Sequence, residues 1–458
     1  VVMRLALLLG ALSCSAPTPP PTPPATPAST MPVALQFDPI TLPDRPHNRV
    51  IASAGATLNG QRIDTTWRPL LREGQVVDGT VFGELIDELG RTIEARPLCG
   101  HADFGGLLET HGSLWHVGHI ECVPGAIWVS QLDQADDGSL TPVRTRPVDL
   151  APVHGGMHFC AGDITPWGTV LSGEEYDADA RQVLPSGEFR EGYTHSDYNP
   201  SYMSPYFDGP RRLPYVYDHA WMDELTILDA EGATSIVKHF AMGRFSHEIG
   251  FVMPDQRTVY LSDDGVNGGL FMFVADAPAD LSAGTLYAAR WRQESAEEGG
   301  SAALDWISLG HATDAHVGRA LKAGALHYDE LFENAPPVSG GCPDGFQSIN
   351  ETWGHQCLRV RPGADEQVLS RVEARRYAAL KGATTELRKG EGITYDPDHD
   401  VIYLALAKVD KGMEAGNVPW DVGGLDHVGV EQNRCGGVYA LPVAGGVSDT
   451  AGTPIDSP

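Results

Sequence analysis

Thr258-Val-Tyr-Leu-Ser262, Asp263-Asp-Gly265 and Gly269-Leu-Phe-Met-Phe-Val274 read as an apolar run, an acidic turn and a second apolar run. The runs are rich in β-branched and aromatic residues, and Asp and Gly separate them, so the stretch predicts a pair of buried strands. The same signal recurs along the chain. Ala126-Ile-Trp-Val-Ser-Gln-Leu132 leads to the turn Ala135-Asp-Asp-Gly138. Leu225-Thr-Ile-Leu228 and Ser235-Ile-Val-Lys-His-Phe240 flank Asp229-Ala-Glu-Gly232. Gly284-Thr-Leu-Tyr-Ala-Ala289 begins another strand. Gly392-Ile-Thr-Tyr395 and Val401-Ile-Tyr-Leu-Ala-Leu406 flank Asp396-Pro-Asp-His-Asp400, and Gly436-Gly-Val-Tyr-Ala-Leu441 comes last. Helical pattern is sparse, with residues 312–334 and 365–381 the candidates. Many short antiparallel units mean an all-β sandwich or propeller, and the length favours the propeller.

Residues 1–14 hold one positive charge, Arg4, then the short apolar run Leu5 to Leu12, then Ser13-Cys14. That is the form of a signal peptide with a lipoprotein-like cleavage site, Cys14 being the lipidation candidate; the run is too short for a permanent span. Residues 15–33 are dominated by Pro, Thr and Ala and predict an extended, disordered tether. No other long apolar run follows, so no transmembrane segment is expected. Residues 34–458 read as one exported β body, with no clean boundary after residue 33. Expected locations are the cell envelope, by a lipid anchor, or the periplasm or exterior.

Acidic residues outnumber basic ones 61 to 32, a formal charge of −29. This argues against nucleic acid or an anionic membrane as partner and suits Ca²⁺, which takes oxygen ligands. Of seven cysteines, Cys14 is assigned to lipid. Cys342 with Cys357 and Cys99 with Cys122 are the expected disulfides in an oxidising compartment.

The sequence contains no Walker-type loop, no Gly-x-Ser-x-Gly elbow, no His-Glu-x-x-His and no Cys-x-x-Cys pair. What remains is a set of acids beside turns. Glu174 and Glu175 end Thr165-Pro-Trp-Gly-Thr-Val-Leu-Ser-Gly-Glu-Glu175. Glu248 ends Gly243-Arg-Phe-Ser-His-Glu248; Asp263, Asp264 and Asn267 form a third group; Leu387-Arg-Lys-Gly-Glu-Gly392 brings a fourth. Loops at one end of successive propeller sheets converge, and converging carboxylates need a cation. The plain reading of Asp263-Asp264 is a hairpin turn, that of Glu174-Glu175 a solvated strand end, and that of His247 a structural histidine.

The combination is more specific than its members. Phe159-Cys-Ala-Gly162, Thr165-Pro-Trp-Gly-Thr169 and Glu174-Glu175 resemble the CAGG…TPWGT…CEE signature of the PhoX-type alkaline phosphatase family. Gly243-Arg-Phe-Ser-His-Glu248, Val259-Tyr-Leu-Ser-Asp-Asp264, Gly284-Thr-Leu-Tyr287 and Lys389-Gly-Glu391 resemble its later blocks, in order, over roughly residues 80–445. The resemblance implies a β-propeller, with about six blades, and an iron–calcium centre that hydrolyses phosphate monoesters. It implies Glu174, Glu175, Glu248, Glu391 and Cys160 as metal ligands. Lys389 would contact phosphate where the family often has Arg, with Arg244 and Arg388 as substitutes. Gly173 stands where the signature has its second Cys, which puts Fe³⁺ in doubt more than Ca²⁺. The family's layout also implies a further sheet beyond Pro458. A monomer acting on a small phosphate monoester is expected. The alternatives are a non-catalytic, Ca²⁺-binding surface propeller and a propeller hydrolase of another kind, such as a lactonase.

Overall fold

The computed structural model describes residues 34–40, 51–184, 186, 188, 190, 200–208, 215–324, 326–338, 341–443 and 445–457. Cys14 and the tether lie outside the described residues. The chain divides into two compact units with the boundary between Pro69 and Leu70, where the sequence shows no break. The first holds a small antiparallel sheet of β1 (Leu35–Phe37), β2 (Gly55–Leu58) and β3 (Gln61–Asp64). Asn59 and Gly60 link β2 to β3 with positive φ at both, the backbone that a tight hairpin requires.

The second unit starts with a short hairpin, β4 (Val76–Val77) and β5 (Thr80–Val81). Three up-and-down sheets follow. The first is β6 (Ala102–Thr110), β7 (Ser113–Ile120), β8 (Ala126–Gln134) and β9 (Leu140–Pro147). The next is β10 (Phe159–Ile164), β11 (Val170–Glu174), β12 (Met222–Ile227) and β13 (Thr234–His239). The third is β14 (His247–Val252), β15 (Thr258–Asp263), β16 (Leu270–Ala277), β17 (Asp280–Ser295) and β18 (Ser301–Thr313). Helices α1 (Asp314–Leu321) and α2 (Tyr328–Leu331) come next. A smaller sheet has the order β19 (Phe332–Ala335), β21 (Gly354–Val360), β20 (Gln347–Glu351). Then come α3 (Glu366–Val372) and α4 (Ala374–Leu380). The last sheet is β22 (Gly390–Asp396), β23 (Val401–Leu406) and β24 (Gly437–Pro442). The strands and both helical stretches expected from the sequence are present.

The four meanders stack in chain order through their first strands: β6 adjoins β10, β10 adjoins β14, and β14 adjoins β22. Sheets that follow one another in this way are the blades of a β-propeller. The packing explains the sequence pattern. β15 is covered on both faces and reads as a continuous apolar run, whereas β24, at a sheet edge, alternates half-buried and exposed residues. The core accordingly lies between sheets. Met272, Trp306, Ile402 and Leu404 join the third meander to the last, and Ile127, Val129, Phe159 and Leu225 join the first to the second.

Cys99 bonds Cys122 and Cys342 bonds Cys357, as expected; Cys160 is buried and reduced, and Cys435 exposed and reduced. Helix α4 inserts two charged residues beneath the blades. Arg375 donates Nε and Nη2 to Asp263, at 2.8 and 2.6 Å, and Nη1 and Nη2 to Asp177, at 3.2 and 3.1 Å. Arg376 donates to Asp179 and Glu373, both at 2.6 Å. Removing one side of a buried ion pair leaves the other uncompensated. Arg375→Met should therefore lower the unfolding free energy by about 3–5 kcal/mol, read as a lower urea midpoint at unchanged slope.

Candidate metal centre

One backbone irregularity builds the site, and it occurs four times. The pairing of each blade's first strand with its second slips by one residue near the start: between Ala102 and Gly105, Phe159 and Gly162, His247 and Gly250, and Gly390 and Gly392. These are β-bulges, which re-aim the extra side chain. The residues carried on them are Asp103, Cys160, Glu248 and Glu391. A matching hydrogen bond closes each bulge. Glu121 N donates to His101 O, Glu175 N to His158 O, Asp264 N to Ser246 O and Ala407 N to Lys389 O, at 2.8–3.0 Å. The residue after each second strand is thereby held beside the bulge, and it is acidic in the first three blades.

The result is a thiol surrounded by carboxylates. Ligand atoms of Glu175, Glu248 and Asp264 lie within 4.8 Å of one another, as do those of Asp103, Cys160 and Glu248 and those of Glu121, Cys160 and Glu175. Cys160 Sγ donates to Glu248 Oε1 at 3.4 Å. Lys389 Nζ reaches in from the fourth blade, 2.8 Å from Asp264 and 3.0 Å from Glu391. Both oxygens of Glu175 are buried and face no donor of their own. A hydrogen bond between Glu175 and Asp264 forms only if one of them keeps a proton.

The charges report the same strain. Burial, with Asp264 and Glu391 nearby, pushes Glu248 up to about 8. Burial and Asp264 push Glu175 well above its ordinary value. Asp264 is also buried, but the proton shared with Glu175 and the Lys389 ammonium hold it down. Burial, then Glu175 and Glu248, push the Cys160 thiol up. The carboxylates raise Lys389 despite its burial. Orphaned buried oxygens, carboxylates held protonated and a buried thiol are what a donor set looks like when protons stand in for cations. Oxygen donors suit Ca²⁺, and a thiolate among carboxylates suits iron.

The structure brings Glu175, Glu248, Glu391, Cys160 and Lys389 together. Glu174 is placed elsewhere. Its carboxylate accepts from Met157 N at 3.0 Å, Trp221 N at 3.1 Å, Lys238 Nζ at 3.1 Å and His219 Nδ1 at 3.4 Å. Burial opposes its ionisation, but Lys238 and His219 outweigh burial and hold it at about 2. Arg244 donates to the carbonyls of His219 and Ala178, and Arg388 to Asp410 and the Gly265 carbonyl; neither guanidinium joins the cluster. Asp264 is a cluster member rather than only a turn residue. Asp103 and Glu121 were not singled out by the sequence reading. Their signal was a weak repeat: Ala102-Asp-Phe-Gly105, Phe159-Cys-Ala-Gly162 and His247-Glu-Ile-Gly250.

Gly173 proves to be a packing position. A Cβ there would lie 2.5 Å from His247 O and 2.8 Å from Glu248 O. The neighbouring blade's backbone fills the space a side chain needs, so glycine at 173 removes no side chain from the cluster, and Cys160 is the thiol within it.

Fold and site together define a bladed β protein with a buried carboxylate–thiol centre at the ends of its first strands. The chain belongs to the PhoX alkaline phosphatase family, whose profile, described as alkaline phosphatase PhoX, matches residues 142–445. Among solved structures, it is similar to Pseudomonas fluorescens PhoX in complex with vanadate, a transition state analogue, at 18% identity and a TM-score of 0.47. That match covers 74% of this chain, and the chain spans 63% of the other's length. A weaker likeness is to a "putative 6-phosphogluconolactonase" from Bacteroides uniformis, at 10% identity and a TM-score of 0.21, covering 71% of this chain and 85% of that one. No curated protein matches the sequence.

Two outcomes are expected. A carboxyl whose pKa is raised in the folded state stabilises below its unfolded value, and that stability is lost as pH rises through the folded value. Metal-stripped protein should thus lose thermal stability progressively from about pH 5 to about pH 8, the window between the ordinary carboxyl value and the folded value of Glu248, about 8. His239, raised to about 9 by Asp314 and Glu224 against burial, and Glu386, raised to about 8 by burial, act in the same direction. The share due to the cluster is the part that shrinks in Glu248→Gln and that added Ca²⁺ removes, measured by thermal melts across this range. Separately, Gly173→Ala should cost about 1–3 kcal/mol by overpacking, measured by denaturant titration.

Proposed function

We propose that the protein is an exported, metal-dependent phosphomonoesterase that releases phosphate from phosphate monoesters. The observation that carries this reading is the convergence of Glu175, Glu248 and Asp264, with Cys160 beside Glu175 and Glu248 and the Lys389 ammonium at the edge. Membership of the family supports it. A phosphate dianion cannot approach bare carboxylates, so the same cluster that rejects it without cations receives it with them.

Glu175, Glu248, Asp264 and Cys160 would hold Ca²⁺ and iron, with Asp103, Glu121 and Glu391 beside them. When bound, such ions act as Lewis acids on phosphoryl oxygen and lower the pKa of a bound water. The chain's own groups do the rest. Lys389 is the cluster's cationic side chain, partly exposed, and it can turn from Asp264 and Glu391 to a substrate oxygen as negative charge grows there. As an ammonium it acts as a point charge rather than a bidentate fork. Glu174, tied to Lys238, fixes the end of β11 and so the direction of Glu175. The leader and tether would carry the body to a compartment rich in calcium, with Cys14 as lipid anchor. No helix among the described residues is long and apolar enough to cross a membrane.

The test is hydrolysis of p-nitrophenyl phosphate at alkaline pH by full-length mature protein prepared with Ca²⁺ and iron. Turnover should vanish with EDTA and with Glu248→Ala; turnover indifferent to both sinks the reading. Lys389→Ala should lower kcat by about 100-fold, the loss of one preorganised donor, with metal content by elemental analysis unchanged.

A further inference from the structure

A cavity of about 610 Å³ opens beside the carboxylate–thiol cluster. Glu121 belongs both to its lining and to the Glu121, Cys160 and Glu175 group, so the cavity begins where the cluster ends. His101 and His158, whose carbonyls close the first two bulges, also line it. Beyond this edge the lining is mostly apolar and aromatic, with Leu85, Ile93, Val123, Pro124, Tyr176 and Tyr202, and Arg96 and Ser204 are its polar members. Tyr176 follows Glu175 directly and meets the His158 ring edge to face at 4.9 Å. Both residues have positive φ, 60° for Tyr176 and 46° for His158. Such backbone is costly for non-glycine residues and persists where surrounding structure enforces it, as at ligand clamps. The other large cavity, about 600 Å³ and lined by Trp291, Trp306, Leu404 and Tyr439, shares no residue with the cluster.

We propose that this cavity is the subsite for the organic group of the phosphate monoester, and that it selects an aromatic group on a short linker over a small polar or alkyl one. The proposal rests on the phosphatase reading. Phosphate occupies only a small part of a space this size, which lies in the range of small-molecule sites. Aromatic and proline surfaces favour a flat apolar ring over a hydroxylated chain. With phosphorus at the cluster, the ester oxygen leads the ring past Glu121 toward Tyr176 and Tyr202.

The test compares 2-phenylethyl phosphate with ethyl phosphate, whose leaving alcohols are of similar acidity, so intrinsic reactivity does not decide. Metal-loaded enzyme should show kcat/KM at least about ten-fold higher for the phenylethyl ester, the scale expected from burying a ring. Tyr202→Ala should reduce that ratio at least about three-fold, and Tyr202→Phe should keep it; Tyr202 is 49% exposed, so the fold tolerates both. Calorimetry with 2-phenylethylphosphonate and ethylphosphonate should show the same preference in binding. Hydrolysis of both esters at equal kcat/KM overturns the subsite and leaves the phosphatase reading standing. Hydrolysis of neither, with p-nitrophenyl phosphate also untouched, overturns the phosphatase reading; whenever neither alkyl ester is hydrolysed, calorimetry decides the cavity, equal affinities overturning the subsite.

Discussion

One backbone hydrogen bond, repeated, organises the site: the amide after each blade's second strand donates to the carbonyl before its first. It closes a bulge, and the bulge turns one side chain out of the strand's alternation. Without the bulge, Asp103, Cys160, Glu248 and Glu391 would follow the ordinary pleat and lie between blades, where apolar side chains pack. With it, each blade delivers a polar group at the same height. The first strands adjoin in order, so these groups meet.

Meeting has an electrostatic cost, and the fold manages it unevenly. Carboxylates behind the cluster are matched by fixed cations: Asp177 and Asp263 by Arg375, Asp179 by Arg376, Glu174 by Lys238. Among the described residues, those in the cluster have only Lys389. Glu174 and Glu175 show the division within one dipeptide. The first is anchored by amides and an ammonium, while the second faces other acids. The anchored carboxylates hold the chain rigid so that the unanchored ones stay close enough to be uncomfortable. A multivalent cation relieves that discomfort, and rigid placement keeps the site from relaxing by moving apart.

The strands of the third meander were legible because burial on both faces leaves an uninterrupted apolar run, and the hairpin turns because Asp and Gly mark them. Glu248 and Glu391 were legible as cluster members through their motif blocks. Glu174 was misplaced because a dipeptide does not reveal which carboxylate follows the strand's last pair and which passes beyond it. Gly173 left open which position carries the thiol, because motif spacing carries no information about the neighbouring blade, whose carbonyls occupy that space. Asp103 and Glu121 escaped notice because an acid near a strand end is common, and their significance depends on a bulge that composition does not announce.

By itself, the sequence determined the class of fold and the acidic blocks in their order. Each of these is local: periodicity, turn chemistry, short spacings and motif. The tertiary structure decided which acid of each block faces the centre, that Arg244 and Arg388 are occupied by carbonyls and Asp410, and that an apolar cavity adjoins the cluster. These depend on strand register and on contacts between residues distant in the chain. A one-residue slip reverses a side chain's direction, and four such slips here make the site.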